Sequence, residues 1–153
     1  MHRYFIELAY NGSEYNGWQI QPNAPSVQED INKALTLLLK QEINVTGAGR
    51  TDTGVHASFF VAHFDSNIEI PNTKALIDKL NRFLGKNIAI KDIYPVVPDA
   101  HARFSAISRT YKYYINKTKN PFTYPFAYRP HPLPDTRLMN EACELLLQYE
   151  DFT

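Results

Sequence analysis

A chain of 153 residues, 44% hydrophobic and 21% charged, is long enough for one real core and ordinary in composition for a globular protein. Its 16 Lys and Arg balance 16 Asp and Glu, so net charge points to no class of partner. No apolar run approaches the ~20 residues of a bilayer span, Glu7 breaks the N-terminal stretch that a secretory leader needs, and one cysteine cannot form an internal disulfide; a cytoplasmic protein without membrane contact is expected.

Arg3 to Tyr10 alternates, with Tyr4, Ile6, Leu8 and Tyr10 on one face, and predicts a strand. A polar loop punctuated by Gly12, Gly17, Pro22 and Pro25 follows. Ser26-Val27-Gln28-Glu29 fits a capping box opening a helix whose apolar face is Val27, Ile31, Ala34, Leu35 and Leu38. Ile43 to Thr46 predicts a short strand, and His56 to Phe64 a longer one with Phe60, Ala62 and Phe64 on one side. Asn72 or Thr73 caps a second helix with Ala75, Ile77, Leu80 and Leu84 inward and Gly85 as its stop. Ile88 to Val97 and Arg109 to Lys117 predict two more strands. A third helix starts near Asp135, with Leu138, Ala142, Leu145 and Leu146 on its face and Cys143 as a small buried apolar residue.

The order is β-α-β-β-α-β, then β and α. Its first six elements match a ferredoxin-like α+β unit, an antiparallel sheet with helices on one side. No repeat, low-complexity tract or clear internal boundary is visible, and 1–153 reads as one domain. The chain stops at Asp151-Phe152-Thr153, just past a helix with no following strand, which suggests that sequence is missing.

Charge is unevenly placed. Between Asp99 and Asp135 there is no carboxylate, while Arg103, Arg109, Lys112, Lys117, Lys119 and Arg129 alternate with eight Phe and Tyr residues. Cations neutralise phosphates and aromatic faces stack on bases, so this segment reads as a nucleic-acid surface. It reads equally as a hairpin whose aromatics fill a core.

The most informative stretch is Gly47-Ala48-Gly49-Arg50-Thr51-Asp52-Thr53-Gly54-Val55-His56-Ala57. Its glycines permit a tight backbone between two strands, presenting Asp52 at a sheet end beside a guanidinium that can keep it ionised. Such a carboxylate serves as nucleophile or general base. An Asp in a Gly-rich turn also caps backbone, and Arg with Asp also makes surface ion pairs. A phosphate loop and a dinucleotide fingerprint both fail on pattern, and the histidines lack metal-ligand spacing with one another or with Cys143.

Gly49-Arg50-Thr51-Asp52 followed by Gly54-Val55-His56-Ala57 resembles the signature loop of the bacterial tRNA pseudouridine synthase A (TruA) family. Tyr10-Asn11-Gly12 with Gly17-Trp18-Gln19 resembles the family's first loop, and Ser26 to Glu29 the start of its first helix. His101-Ala102-Arg103-Phe104-Ser105-Ala106 matches a second signature. Arg109-Thr110-Tyr111-Lys112-Tyr113 matches the segment with the active-site tyrosine, and Asp151-Phe152-Thr153 the junction before the family's second half. Thr53 stands where the family commonly has alanine. The resemblance covers the whole chain, but it implies a second half, supplying further site residues, that this sequence does not contain.

The resemblance implies isomerisation of uridine to pseudouridine at positions 38 to 40 of the tRNA anticodon stem-loop. Asp52 is the implied nucleophile, Tyr111 the residue stacked on the target uracil, and Arg50 its partner or the filler of the vacated stack. His101, Arg103, Arg109 and Lys112 are implied RNA contacts. Trp18 is expected as a buried loop anchor. Atoms are only rearranged, so no cofactor is implied. The family acts as a homodimer on tRNA. The alternatives are an RNA-binding half-domain without catalysis and, last, a two-carboxylate hydrolase.

Overall fold

A computed structural model describes residues 1–151; Phe152 and Thr153 of the expected junction lie outside them. The chain divides into two compact units, the first Met1–Arg109 and the second beginning at Thr110.

The first unit holds β1 (His2–Tyr10), α1 (Val27–Leu39), β2 (Thr46–Gly47), β3 (Ala57–Ser66), α2 (Thr73–Phe83) and β4 (Ile88–Val96). The sheet order is β2-β3-β1-β4, every pair antiparallel. This is the expected ferredoxin-like α+β arrangement. Tyr4, Ile6, Leu8 and Tyr10 are buried on one face of β1, against Ala62 and Phe64 of β3 and apolar residues of α1 and α2. In β4 the inward set is Ile88, Ile90 and Ile93. Its change of parity follows from a bulge: Glu7 pairs with Asp92 but Leu8 with Ile90, so Lys91 is the extra residue.

Ser26 Oγ accepts the Glu29 N–H at 3.3 Å, but the Glu29 carboxylate goes to Lys33 Nζ at 2.6 Å, so only half of the capping box forms. Asn72 caps α2 through the Ala75 N–H. That helix ends at Phe83 with Leu84 extended, ahead of Gly85. Its buried residues are Leu76 and Leu80, with Ile77 half-buried; the predicted face lacked Leu76. The predicted strand at Ile43–Thr46 is the two-residue β2, while Ile43 and Val45 are buried in the core.

In the second unit the predicted strand Arg109–Lys117 is not formed. The segment makes one isolated bridge, Ile115 to Tyr128, with Tyr128 N–H donating to Tyr114 and Asn116 N–H to Tyr128. Alternating side chains specify a strand only where a neighbour takes its backbone groups, and this stretch has one such contact. The expected last helix is α3 (Thr136–Leu146), capped by Asp135, but none of its residues is buried. Cys143 is exposed rather than buried, because none of the described residues of the unit covers the helix face. Among the described residues no helix is long and apolar enough to cross a membrane.

Phe64 is fully buried and stacked on Tyr4 at 5.6 Å, whereas Phe59 on the other face is 62% exposed. Phe64→Ala is expected to cost about 3–5 kcal/mol in denaturant unfolding, and Phe59→Ala within about 0.5 kcal/mol.

Candidate active site

Tyr10 pairs with Ala57, so β1 ends where β3 begins and their loops meet at one end of the sheet. The loop after β1 is fastened to the motif loop by backbone. Trp18 N–H donates to the Thr51 carbonyl at 3.2 Å, and Gly54 N–H to the Tyr15 carbonyl at 3.2 Å. Tyr10 Oη and Thr51 Oγ1 share a hydrogen bond of 3.0 Å, and Gly12 N–H donates to His56 Nδ1 at 3.1 Å.

These approaches require glycine. A Cβ on Gly12 would collide with the Val55 carbonyl oxygen, and one on Gly17, at φ +91°, with that of Thr51. A Cβ on Gly47 would enter the indole of Trp18, which is 1% exposed and is the buried anchor expected from sequence. Gln28 adds a polar hub. Its Oε1 accepts Gln19 Nε2 at 2.7 Å and Ile20 N–H at 2.9 Å, while its Nε2 donates to the Val45 carbonyl at 2.7 Å.

Asp52 is exposed at the crest of this loop. Its carbonyl, not its carboxylate, accepts the Val55 N–H at 3.2 Å. Among the described residues neither the Asp52 carboxylate nor the Arg50 guanidinium has a hydrogen-bond or ion-pair partner, so the expected Arg50–Asp52 pair is not formed. Both side chains are solvated, and an exposed pair gains too little to hold two such chains together. The turn-capping role open to Asp52 in sequence is therefore vacant. Arg50 and Arg103 line a cavity of about 160 Å³ with Trp18, Gln19, Thr46 and Gly47, and no acidic residue lines it.

The second signature folds into a turn on the open face of the sheet. His101 Nδ1 accepts the N–H groups of Arg103 and Phe104 at 3.2 and 3.3 Å, and Ser105 Oγ accepts the His101 N–H at 3.0 Å. The structure thus uses His101 to shape this turn. His63, on β3, was not found from sequence as a site residue. Its Nδ1 accepts the Ala102 N–H at 3.1 Å and its ring meets His101 at 4.5 Å. Burial first, then His101 and Arg3, push the His63 imidazole down to about 4. Its place opposite Phe64 in the alternation was the available signal. Arg109 donates to the carbonyls of Ala48 and Arg103. Arg50, Asp52, His101, Arg103 and Arg109 thus all belong to the first unit; Tyr111 and Lys112 belong to the second, where both are exposed.

No family model matches the chain. The tRNA pseudouridine synthase A of Parabacteroides distasonis is 52% identical over 153 residues, covering 100% of this chain and 61% of that protein. The enzyme of the same name from Bacteroides thetaiotaomicron is 52% identical over 100% of this chain and 56% of its own length. The tRNA pseudouridine synthase A 1 of Protochlamydia amoebophila is 41% identical over 100% of this chain and 60% of its own. The chain spans about 60% of the length of these relatives.

Two stability outcomes follow from this geometry. Gly17→Ala, which combines positive φ with a collision, is expected to cost more than 2 kcal/mol. Gly54→Ala, at φ +78° with open space around it, should cost only about 1 kcal/mol, both measured by denaturant unfolding. His63 refuses in the folded state a proton that the unfolded chain accepts below about pH 6.5. Stability is therefore expected to fall, by up to roughly 3 kcal/mol, as pH drops from about 6.5 to about 4. His63→Asn, which keeps an acceptor but does not titrate, should flatten that slope in a pH series of unfolding curves.

Proposed function

Because the chain belongs to the tRNA pseudouridine synthase A family, we propose that it carries the aspartate loop for isomerising uridine to pseudouridine in the anticodon stem-loop of tRNA. The observation that supports this best is the contrast within residues 51–52. Thr51 is held by both its carbonyl and its hydroxyl, while the neighbouring carboxylate is exposed and unused by the fold. A group positioned by rigid backbone and left free is suited to act on a substrate.

In this reading Asp52 is the nucleophile. It attacks the sugar at C1′, adds to the base at C6, or acts instead as a base that removes a sugar proton to give a glycal; each route breaks the N1–C1′ bond, forms a C5–C1′ bond, releases the C5 hydrogen as a proton to solvent and leaves N1 protonated, without a redox partner. A uridine within a stem must first leave the stack, at a cost of a few kcal/mol. Phosphate contacts and a new stacking surface offset that cost. Tyr111, 61% exposed, is the stacking residue in this proposal, and Arg50 fills the vacated position. Arg103 and Lys112, both exposed, meet phosphates. The carboxylate-free segment supports RNA contact because Tyr113, Phe122 and Tyr124 are at least 80% exposed and fill no core. The same reading puts the protein in the cytoplasm as a homodimer on tRNA.

The chain's share of its relatives' length favours one further reading, an RNA-holding unit that does not turn over alone. Tritium release from tRNA labelled at uridine C5 separates the two. The wild-type chain is expected to release label, and Asp52→Asn to lower the rate about a thousandfold or more with tRNA affinity within about twofold. Binding without release from the wild type would leave the RNA-holding reading. A large loss of affinity in Asp52→Asn would remove the nucleophile role.

A further inference from the structure

The segment after β4 runs across the open face of the sheet in strand order. Arg3 of β1 donates to the Ala100 carbonyl at 3.1 Å, the Ala102 N–H reaches His63 of β3, and the segment ends at Arg109 beside the loop that follows β2. Arg109 closes this strap. Its Nε donates to the Ala48 carbonyl at 2.9 Å and its Nη2 to the Arg103 carbonyl at 2.6 Å. Its side chain lies over Gly49, where a Cβ would stand 3.4 Å from Nε.

Ala48 is thereby held on both sides, because its N–H donates to the Val61 carbonyl of β3 at 2.8 Å. Three residues on, Thr51 is held by Trp18 and Tyr10. Arg50 and Asp52 flank Thr51, so the backbone that aims both is fixed at Ala48 and at Thr51. Two of the three guanidinium nitrogens are committed to carbonyls, which is a positioning arrangement.

We infer that Arg109 is a positioning residue that clamps the Ala48 end of the Asp52 loop to the His101–Ser105 turn. This rests on the reading of that loop as catalytic. A planar fork reaches two carbonyls at once, whereas a lysine ammonium is a compact point on a flexible stem. Lysine should therefore not replace it.

The test is amide hydrogen exchange on the 153-residue chain by NMR, wild type against Arg109→Lys and Arg109→Ala. The Ala48 amide is expected to exchange at least about tenfold faster in both variants, with β1 and α1 amides unchanged. On C5-tritiated tRNA, kcat should fall about tenfold or more with KM within about twofold. Unchanged exchange at Ala48 overturns the proposal, as does an equal rise throughout the unit, which marks general destabilisation. Lost tRNA affinity with Ala48 exchange intact would make Arg109 a phosphate contact and also overturns it. Asp52→Asn separates the two readings, since it should silence turnover and leave Ala48 exchange as in the wild type. A wild-type chain that releases no label, with Ala48 still loosened in the Arg109 variants, sinks the functional reading and keeps the clamp.

Discussion

The close approach of two backbones at one end of the sheet is the constraint on which the site depends. Gly12 and Gly17 lie against the carbonyls of Val55 and Thr51, closer than any side chain allows. Hydrogen bonds between main-chain atoms have no side-chain rotamers to order, so this contact fixes the loop at a lower entropic cost than ion pairs between long side chains. It also explains why the loop after β1 contains Gly12 and Gly17 at those places. The antiparallel pairing of β1 with β3 brings the two loops to the same end, and the glycines let them touch.

A second layer of fixation comes from the opposite direction, across the face of the sheet that the helices leave open. Arg3 makes a two-bonded ion pair with Asp65, at 2.8 Å for each bond, and spends its remaining nitrogen on the strap. That hydrogen bond to Arg3 holds the Asp65 carboxyl below the usual carboxylate range. His63 is buried beneath the same strap and acts as a neutral acceptor. Were it charged, Nδ1 would become a donor facing the Ala102 N–H, and it would sit beside Arg3 and His101. The polar residues of this face therefore serve the strap, and the strap ends at the loop.

The sheet, α1 and α2 were legible because alternation and helical spacing are local signals, and the buried faces at Tyr4 to Tyr10 and Val27 to Leu35 follow them. The motif loop was legible because its glycines and its Arg-Thr-Asp core are contiguous. The strand expected at Arg109–Lys117 was not legible as a failure, since pairing depends on a distant neighbour that periodicity does not report. Cys143 and the α3 face were misjudged for the same reason: an apolar stripe says what should be covered, not whether this chain covers it. The resemblance gives His101 and Arg109 as RNA contacts, and local sequence says nothing of their bonds within the fold. Their hydrogen bonds to the turn and to Ala48 join residues up to 61 apart, a separation that only the fold shortens.

The proposed reading thus separates holding from acting. Tyr10, Trp18 and Arg109, which hold the loop, and His63 and His101, which hold the strap, each have a partner within the fold. Among the described residues of the loop and the turn, Asp52, Arg50 and Arg103 are left solvated. Leaving a charge in water costs the fold nothing, while enclosing it would demand a partner that substrate would later have to displace. A carboxylate kept out of the fold's own hydrogen bonds retains its full capacity for a reacting atom. A guanidinium without an internal acceptor keeps its donors for an incoming anion. In the proposed reading precision resides in the backbone beneath these side chains, so substitutions at Gly17 bear on geometry while substitutions at Asp52 bear on chemistry.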